Sequence, residues 1–166
     1  KAAIQVVLRT CAEAQVVLTY QEAKDLVMAK REAFPGLIDY YNSIRFQLQH
    51  KGYVETEYGR RLYGEWFWGE SETIQSTNAR TLRQAINMPI QGTSADIIKR
   101  ALIKLDEPDV QMLLTVHDDI KWILPKDEAE EYGHKAKGIM ESIITLRVPV
   151  IADVKIGKNL AEMHEL

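Results

Sequence analysis

Two carboxylates stand side by side in the segment Leu113–Ile120, directly after a strongly apolar run. Asp118 and Asp119 follow His117, and the apolar residues on either side predict a turn between two strands. Like charges repel, so such a turn would more naturally carry Asn-Gly or Asp-Gly. A divalent cation would remove the repulsion, because hard ions take carboxylate oxygens. Spacing alone leaves two alternatives open: a polar turn in which Asp is chosen for its turn propensity, or a metal site.

A second polar set lies on a predicted helix. Arg83, Asn87 and Gln91 are spaced at i, i+4 and i+8, so they could line one helical face. Their donors suit the minor groove of duplex DNA, where every base pair presents a purine N3 or pyrimidine O2 acceptor whatever its sequence. Such a face would test base-pair geometry without reading sequence. The alternative is a capping and turn cluster around Pro89–Gly92, with Arg83 solvated.

The composition is ordinary for one globular domain: of 166 residues, 46% are hydrophobic and 27% are charged. No apolar run reaches the roughly 18 residues that span a membrane, so no membrane partner is expected. A cytoplasmic or nucleoid-associated location is a separate expectation. Cys11 is the single cysteine and cannot form an internal disulfide, which fits a reducing compartment. The chain begins with Lys1, not Met, which predicts a processed or excised piece of a longer product.

The net charge of −3 argues mildly against a nucleic-acid binder, because such domains usually carry a basic face. The distribution of charge weakens that objection. Basic side chains outnumber acidic ones between Arg45 and Lys104, whereas acidic residues concentrate around Asp127 to Glu131. Composition therefore leaves the function undecided.

The elements that must position these residues follow from periodicity and stop signals. A helix is predicted over Ala2–Leu18, and a second opens at Thr19 with Glu22 at capping-box spacing and stops at Pro35-Gly36. Apolar residues at helical spacing predict a third helix that ends near Gly52.

The rest of the chain mixes strands and helices. A small hairpin is predicted at Tyr53–Thr56 and Arg61–Tyr63, and a long helix at about Thr73–Leu105, with a kink or two abutting helices at Pro89 and Gly92. The remaining predictions are a buried strand at Val110–Val116, a return strand at Ile120–Leu124, a final strand at Val148–Ile156 and a helix at Asp127–Ile144. This order indicates an α+β fold with an antiparallel sheet packed against several helices.

Taken together, the polar segments resemble a known family. RQAINMPIQGTSADIIKRALIKL followed by LLTVHDDI is very similar to the motifs after the fingers of family A DNA polymerases, the DNA polymerase I family. GYVETEYGRRLY resembles the family's basic hairpin, EAKDLVMAKREAFPGLIDYY one of its helix pairs, and VPVIADVKIGKNLAEMH its C-terminal strand and tail. The resemblance covers about Glu22 to His164 and implies an antiparallel palm sheet that carries the catalytic hairpin.

The resemblance implies a role for each polar residue. Asp118 matches the motif C aspartate that binds two catalytic Mg²⁺ ions, and Asp119 stands where the family usually has Glu, a secondary carboxylate. His117 matches a residue near the primer terminus. Contacts with primer–template DNA are implied for the palm residues Arg83, Asn87 and Gln91, and backbone contacts for the hairpin residues Arg60 and Arg61.

The family's second catalytic aspartate, in the motif D-Y-S-Q-I-E-x-R, has no counterpart here, and neither does its fingers helix. Residues 1–52 are interpreted as a helical segment adjoining the fingers, and residues 53–166 as one palm unit. Two metal ions clamp the attacking and leaving oxygens, and one carboxylate turn cannot hold such a pair. The resemblance therefore implies template-directed nucleotidyl transfer from dNTP to a primer. It also implies that this chain is inactive alone and needs an N-terminal polymerase fragment or subunit that carries the second aspartate, in motif A, and the fingers. The alternatives are a palm that binds DNA without catalysis and an unrelated α+β interaction domain.

Overall fold

The computed structural model describes residues 2–166, which form five helices and six short strands. In chain order these are α1 (Ala2–Glu13), α2 (Tyr20–Ala33), α3 (Pro35–Lys51), β1 (Tyr53–Glu55), β2 (Arg61–Tyr63), α4 (Glu72–Lys104), β3 (Gln111–Val116), β4 (Asp119–Ile123), α5 (Ala129–Glu141), β5 (Lys155–Ile156) and β6 (His164–Glu165).

The predicted stop signals act where they were expected in α2 and α3. The Thr19 side chain accepts a hydrogen bond from the Glu22 backbone N–H, and the Glu22 carboxylate accepts one from the Thr19 N–H at 2.8 Å, so the capping box is confirmed. These hydrogen bonds to the charged form, first from the Thr19 backbone and then from its hydroxyl, lower the pKa of the Glu22 carboxyl. Gly52 ends α3 at a φ of 74°, a left-handed conformation that glycine adopts without a Cβ clash.

The helix α4 runs unbroken for 33 residues with Pro89 inside it. Of the two predicted alternatives, two abutting helices are therefore wrong, and a kink within one helix stays a prediction. Proline removes one backbone hydrogen bond, but its fixed φ is itself helical, and the residues on both sides continue the helix. The first helix ends at Glu13, earlier than the predicted Leu18, and Gln15 then takes a positive φ of 61°.

The strands form three separate two-stranded sheets, β1–β2, β3–β4 and β5–β6. The α+β class with antiparallel pairing is confirmed, although the pairs are not joined into one sheet. The predicted strand Val148–Ile156 is wrong over most of its length, because only Lys155–Ile156 is a strand and it pairs with His164–Glu165. Pro149 has no N–H to donate to a ladder, which disfavours a strand there.

The chain divides into two compact units, each with its own buried residues. Residues 1–54 with 63–86 form the first, where Ile44, Leu48 and Val54 are buried. The second contains residues 55–62 with 87–166. This division does not coincide with residues 1–52 and 53–166, and that functional subdivision stays a prediction. No helix among residues 2–166 is long and apolar enough to cross a membrane.

The core of the second unit anchors the hairpin β3–β4. Its buried residues are Ala101, Leu105, Ile120, Tyr132 and Ala136. The Tyr132 hydroxyl donates to the Leu105 carbonyl at 3.2 Å, and its ring meets Trp122 edge-on at 5.6 Å. The end of α4, the strand β4 and α5 thus share one apolar cluster, which holds β4 and leaves the turn outside. The strand β3 is mostly exposed, with Leu113 at 47% and Val116 at 50%, so the predicted burial of Val110–Val116 is wrong.

Candidate metal and nucleic-acid site

The turn between β3 and β4 contains His117 and Asp118. Val116 pairs with Asp119, so these are the only two residues in the loop. His117 has a φ of 56°, the left-handed region that favours glycine. A positive φ at the first loop position is typical of a tight hairpin turn, where Gly is the usual residue. Side chains held in such a conformation concentrate at functional sites. The predicted tight turn with Asp118 in it is confirmed.

The carboxylates of this turn differ in their surroundings. His117, Asp118 and Asp119 are all exposed. The Lys121 ammonium forms an ion pair with Asp119, whose side chain remains 56% exposed. Within the described part of the chain, the Asp118 carboxylate makes no hydrogen bond or ion pair. Asp118 is therefore an uncompensated negative charge at the tip of an anchored hairpin.

These two carboxylates are the oxygen donors that this turn offers to a cation. Among residues 2–166, no group of three or more His, Cys, Asp or Glu side chains could hold a metal ion. Mg²⁺ keeps several waters and is commonly bound by one or two protein carboxylates together with substrate phosphates. The donor chemistry of Asp118 and Asp119 fits such a partial site, and further ligands would have to come from outside this hairpin.

The polar set on α4 is exposed throughout. Asn87 and Gln91 lie one helical turn apart in the part of α4 that belongs to the second unit, and Arg83 lies in the part that belongs to the first. Their predicted helical setting is confirmed, and the alternative of a turn cluster at Pro89–Gly92 is wrong because both residues are helical. The resemblance implies that Gln91 and His117 contribute to one DNA site, and this stays a prediction.

The two arginines of the first hairpin have different environments. Arg60 donates from Nε to Asp96 Oδ1 and from Nη2 to the Gly92 carbonyl, both at 2.9 Å. Arg61 lies 3.4 Å from Glu55, and both side chains are nearly half exposed. Arg60 is thus engaged within the chain in a way that its resemblance to a DNA-binding arginine did not predict.

Sequence reasoning missed several residues that link the turn after β1 to α4. Thr56, Thr93 and Asp96 are buried, at 4%, 5% and 9% exposure. The Thr93 hydroxyl accepts from the Glu57 backbone N–H at 3.1 Å, and Arg100 stacks over the Tyr58 ring at 3.9 Å. A signal was present in Asp96, because an acid between apolar residues of a helix is costly to bury without a basic partner.

Comparison with known proteins places these motifs in a family. A family profile described as DNA polymerase family A matches residues 9–162. The chain is 34% identical over 155 residues to the thermostable DNA polymerase I of Thermus aquaticus, covering 91% of this chain and 18% of that protein. It is 38% identical over 147 residues to DNA polymerase I of Deinococcus radiodurans, covering 86% of this chain and 15% of that protein.

A solved structure is also similar. It is the POL domain of Pol1 from M. smegmatis in complex with DNA primer-template and dNTP, with a TM-score of 0.71 and 28% identity, covering 84% of this chain and 25% of that chain. The chain therefore spans less than a fifth of the length of the two relatives above. The family match extends over most of the 166 residues and includes both polar segments. On these grounds the chain belongs to DNA polymerase family A.

Proposed function

We propose that this chain is the palm portion of a DNA-directed DNA polymerase and supplies one of its two catalytic aspartates. The observation that carries the proposal is the turn His117-Asp118, in which an exposed, uncompensated carboxylate stands at a strained position of a hairpin anchored in the core. Side chains held in such a conformation concentrate at functional sites, and a carboxylate without an ion pair in the described chain is available to a cation.

Mg²⁺ is the cofactor that this turn would help to hold. Asp118 is the principal proposed ligand, and Asp119 is the auxiliary one because Lys121 already neutralises part of its charge. When bound, the ions supply charge stabilisation to the phosphoryl group during in-line displacement. The chain's own part is to keep the Asp118 oxygens on a fixed turn, so that little reorganisation is required when substrate arrives. A second aspartate, which we place on an upstream polypeptide segment with the fingers, completes the pair.

The proposed DNA contacts fall into two kinds. Asn87, Gln91 and Arg83 are exposed donors on α4, suited to minor-groove acceptors that every base pair presents. Arg61 is proposed as a phosphate contact, as the resemblance of the hairpin implies, and its side chain is 47% exposed, so that an anion can reach it. His117 is proposed to approach the primer terminus. The M. smegmatis structure, in complex with DNA primer-template and dNTP, supports these choices of partner.

The decisive experiment is primer extension with the purified chain, a primed template, dNTPs and Mg²⁺, with and without a complementing polypeptide that carries the upstream aspartate and fingers. We expect no extension by either polypeptide alone and extension by the two together. Robust synthesis by this chain alone would contradict the proposal. DNA binding without any complemented extension would favour the alternative of a palm that binds DNA without catalysis.

A further inference from the structure

The turn between β1 and β2 is bonded to α4 by more than one contact. Arg60 donates to Asp96 and to the Gly92 carbonyl, both at 2.9 Å, and the Glu57 N–H donates to the Thr93 hydroxyl at 3.1 Å. We call the three residues Arg60, Gly92 and Asp96 the turn–helix clamp. All of its members belong to the second compact unit.

The clamp contains a buried charge with a single balancing partner. The Asp96 side chain is 12% exposed, and its Oδ2 atom is buried without a hydrogen-bond partner in the described residues. An ion pair of this kind adds little net stability, because desolvation offsets much of the attraction. In some proteins such a pair fixes one arrangement over others. The Arg60–Asp96 pair is therefore expected to fix the position of the turn against α4.

The turn approaches the helix backbone itself at Gly92. A Cβ built on Gly92 would lie 2.7 Å from Thr56 Cγ2 and 3.2 Å from Arg60 Nη2, so only glycine leaves room for the turn. The same stretch of α4 is intrinsically weak, because Pro89 removes a helical hydrogen bond and glycine disfavours the helix. The clamp lies just where α4 most needs external support, one residue beyond Gln91.

We propose that Arg60 and Asp96 are positioning residues that hold the Pro89–Asp96 stretch of α4 in place and thereby fix Gln91, and Asn87 one turn before it, for DNA contact. This inference rests on the proposed function, because it deepens the role of the α4 donors. Arg60 then acts through the helix and does not itself bind phosphate. Its guanidinium is directed to a carboxylate and a carbonyl, which together use its Nε and Nη2 donors.

The variants Arg60→Lys and Asp96→Asn separate this role from a direct phosphate contact. Lysine keeps the charge but lacks the planar fork that reaches Asp96 and Gly92 together. Asparagine keeps the shape of Asp96 and removes its charge. If Arg60 positions the helix, both substitutions should impair that positioning. If Arg60 binds phosphate, lysine substitutes well, and Asp96→Asn is neutral or favourable because it releases the arginine.

The first measurement is hydrogen exchange of the 166-residue chain. We expect Arg60→Lys and Asp96→Asn to speed exchange at least tenfold in residues 88–96, with the amides of α5 unchanged. This readout requires no polymerase activity and would stand even if complementation failed. Unchanged exchange in both variants would overturn the clamp's positioning role. Arg60→Ala is informative only beside these two, because it leaves Asp96 buried and unpaired and could unfold the unit.

The second measurement is primer–template affinity as a function of salt, together with the extension rate at saturating DNA, in the complemented polymerase. We expect both variants to lower the extension rate about tenfold without changing the salt slope. Arg61→Ala is the matched control and should reduce that slope by about 1, because it removes one phosphate contact. A wild-type rate for Arg60→Lys, with a shallower slope for Arg60→Ala only, would identify Arg60 as a phosphate contact and overturn the proposal.

Discussion

The second compact unit contains two hairpin turns that use charged residues in opposite ways. In the turn after β1, Gly59 takes the positive φ of 78° and Arg60 is bonded to Asp96 and Gly92. In the turn after β3, a non-glycine residue, His117, takes the positive φ of 56°, and the next residue, Asp118, points an uncompensated carboxylate outward. One turn is relaxed and satisfied within the chain. The other is strained, and its carboxylate is exposed to solvent.

We interpret this difference as one between a charge that serves the fold and a charge that serves the proposed metal site. A side chain whose hydrogen bonds are made inside the fold stabilises or orients that fold, as Arg60 does. A charge that makes no ion pair in the described chain is solvated and available to a ligand from outside, as we propose for Asp118. Sequence similarity alone gave both turns the same kind of role, contact with DNA or metal, and the hydrogen bonds distinguish them.

The largest stability effect should come from Gly92→Ala. The new Cβ would meet Thr56, which is only 4% exposed and has little freedom to move. Overpacking costs about 1–3 kcal/mol, and the better helix propensity of alanine returns up to about 1 kcal/mol, so we expect a net loss of about 1–2 kcal/mol in the free energy of unfolding. Urea denaturation measures it.

Gly138→Ala is the matched control for that change. Gly138 also lies inside a helix, but nothing stands within 4 Å of a Cβ there. Alanine should therefore stabilise α5 by about 0.5–1 kcal/mol. Equal effects of the two substitutions would mean that the first turn is not docked on α4 as described.

Removal of the exposed α4 donors should affect DNA use with little effect on folding. We expect Gln91→Ala and Arg83→Ala to weaken primer–template use by about tenfold, or about 1.4 kcal/mol, the value of one or two hydrogen bonds. The loss should not depend on template sequence, which extension on several templates would test. Gln84→Ala, a neighbouring exposed change on the same helix, should have no effect. A sequence-specific loss at Gln91 would contradict geometric sensing.

Relief of the strain at His117 should have smaller effects, which are opposite in sign for stability and for activity. His117→Gly should raise the free energy of unfolding by about 0.5–1 kcal/mol, because glycine adopts a positive φ without a Cβ clash, while complemented extension falls. Gly59→Ala is the mirror control and should lower stability by about 1 kcal/mol without a gain in extension. Loss of stability in both variants would show that His117 is not strained.

Asp119 should show the smallest effect. Asp119→Glu, which restores the residue usual in the family, should leave complemented extension within about twofold, a difference of about 0.4 kcal/mol. Asp119→Ala should cost more than this but less than loss of Asp118, because Lys121 already balances the Asp119 charge. Equal losses for Asp118→Ala and Asp119→Ala would show that the turn acts as a symmetric pair.

Periodicity and stop signals were sufficient to predict most of the local elements from the sequence. The Thr19–Glu22 capping box, the stop at Gly52 and the turn at His117-Asp118 all depend on neighbouring residues, so the sequence carries them directly. The continuity of α4 through Pro89 was harder to predict, because the outcome depends on how the flanking residues pack.

The clamp could not be predicted from spacing. Arg60 and Asp96 are 36 residues apart, and their pairing depends on the turn docking at Gly92. The strand predicted at Val148–Ile156 failed for a local reason: apolar content favours a strand, but Pro149 cannot donate to a ladder and only Lys155–Ile156 is paired, with His164–Glu165. Long-range pairings are set by tertiary contacts, which local patterns do not encode.

The central claim is that the Asp118 side chain binds the catalytic metal, and Asp118→Cys tests it most directly. A thiolate is a poor ligand for Mg²⁺ and a good one for softer ions such as Cd²⁺. In the complemented assay we predict that Asp118→Cys and Asp118→Ala are both inactive with Mg²⁺, by about a thousandfold or about 4 kcal/mol, while both remain folded. Cd²⁺ should restore extension to the Cys variant and not to the Ala variant, which retains the same Cys11. Full activity of Asp118→Ala with Mg²⁺, or no difference between the Cys and Ala variants with Cd²⁺, would contradict the account.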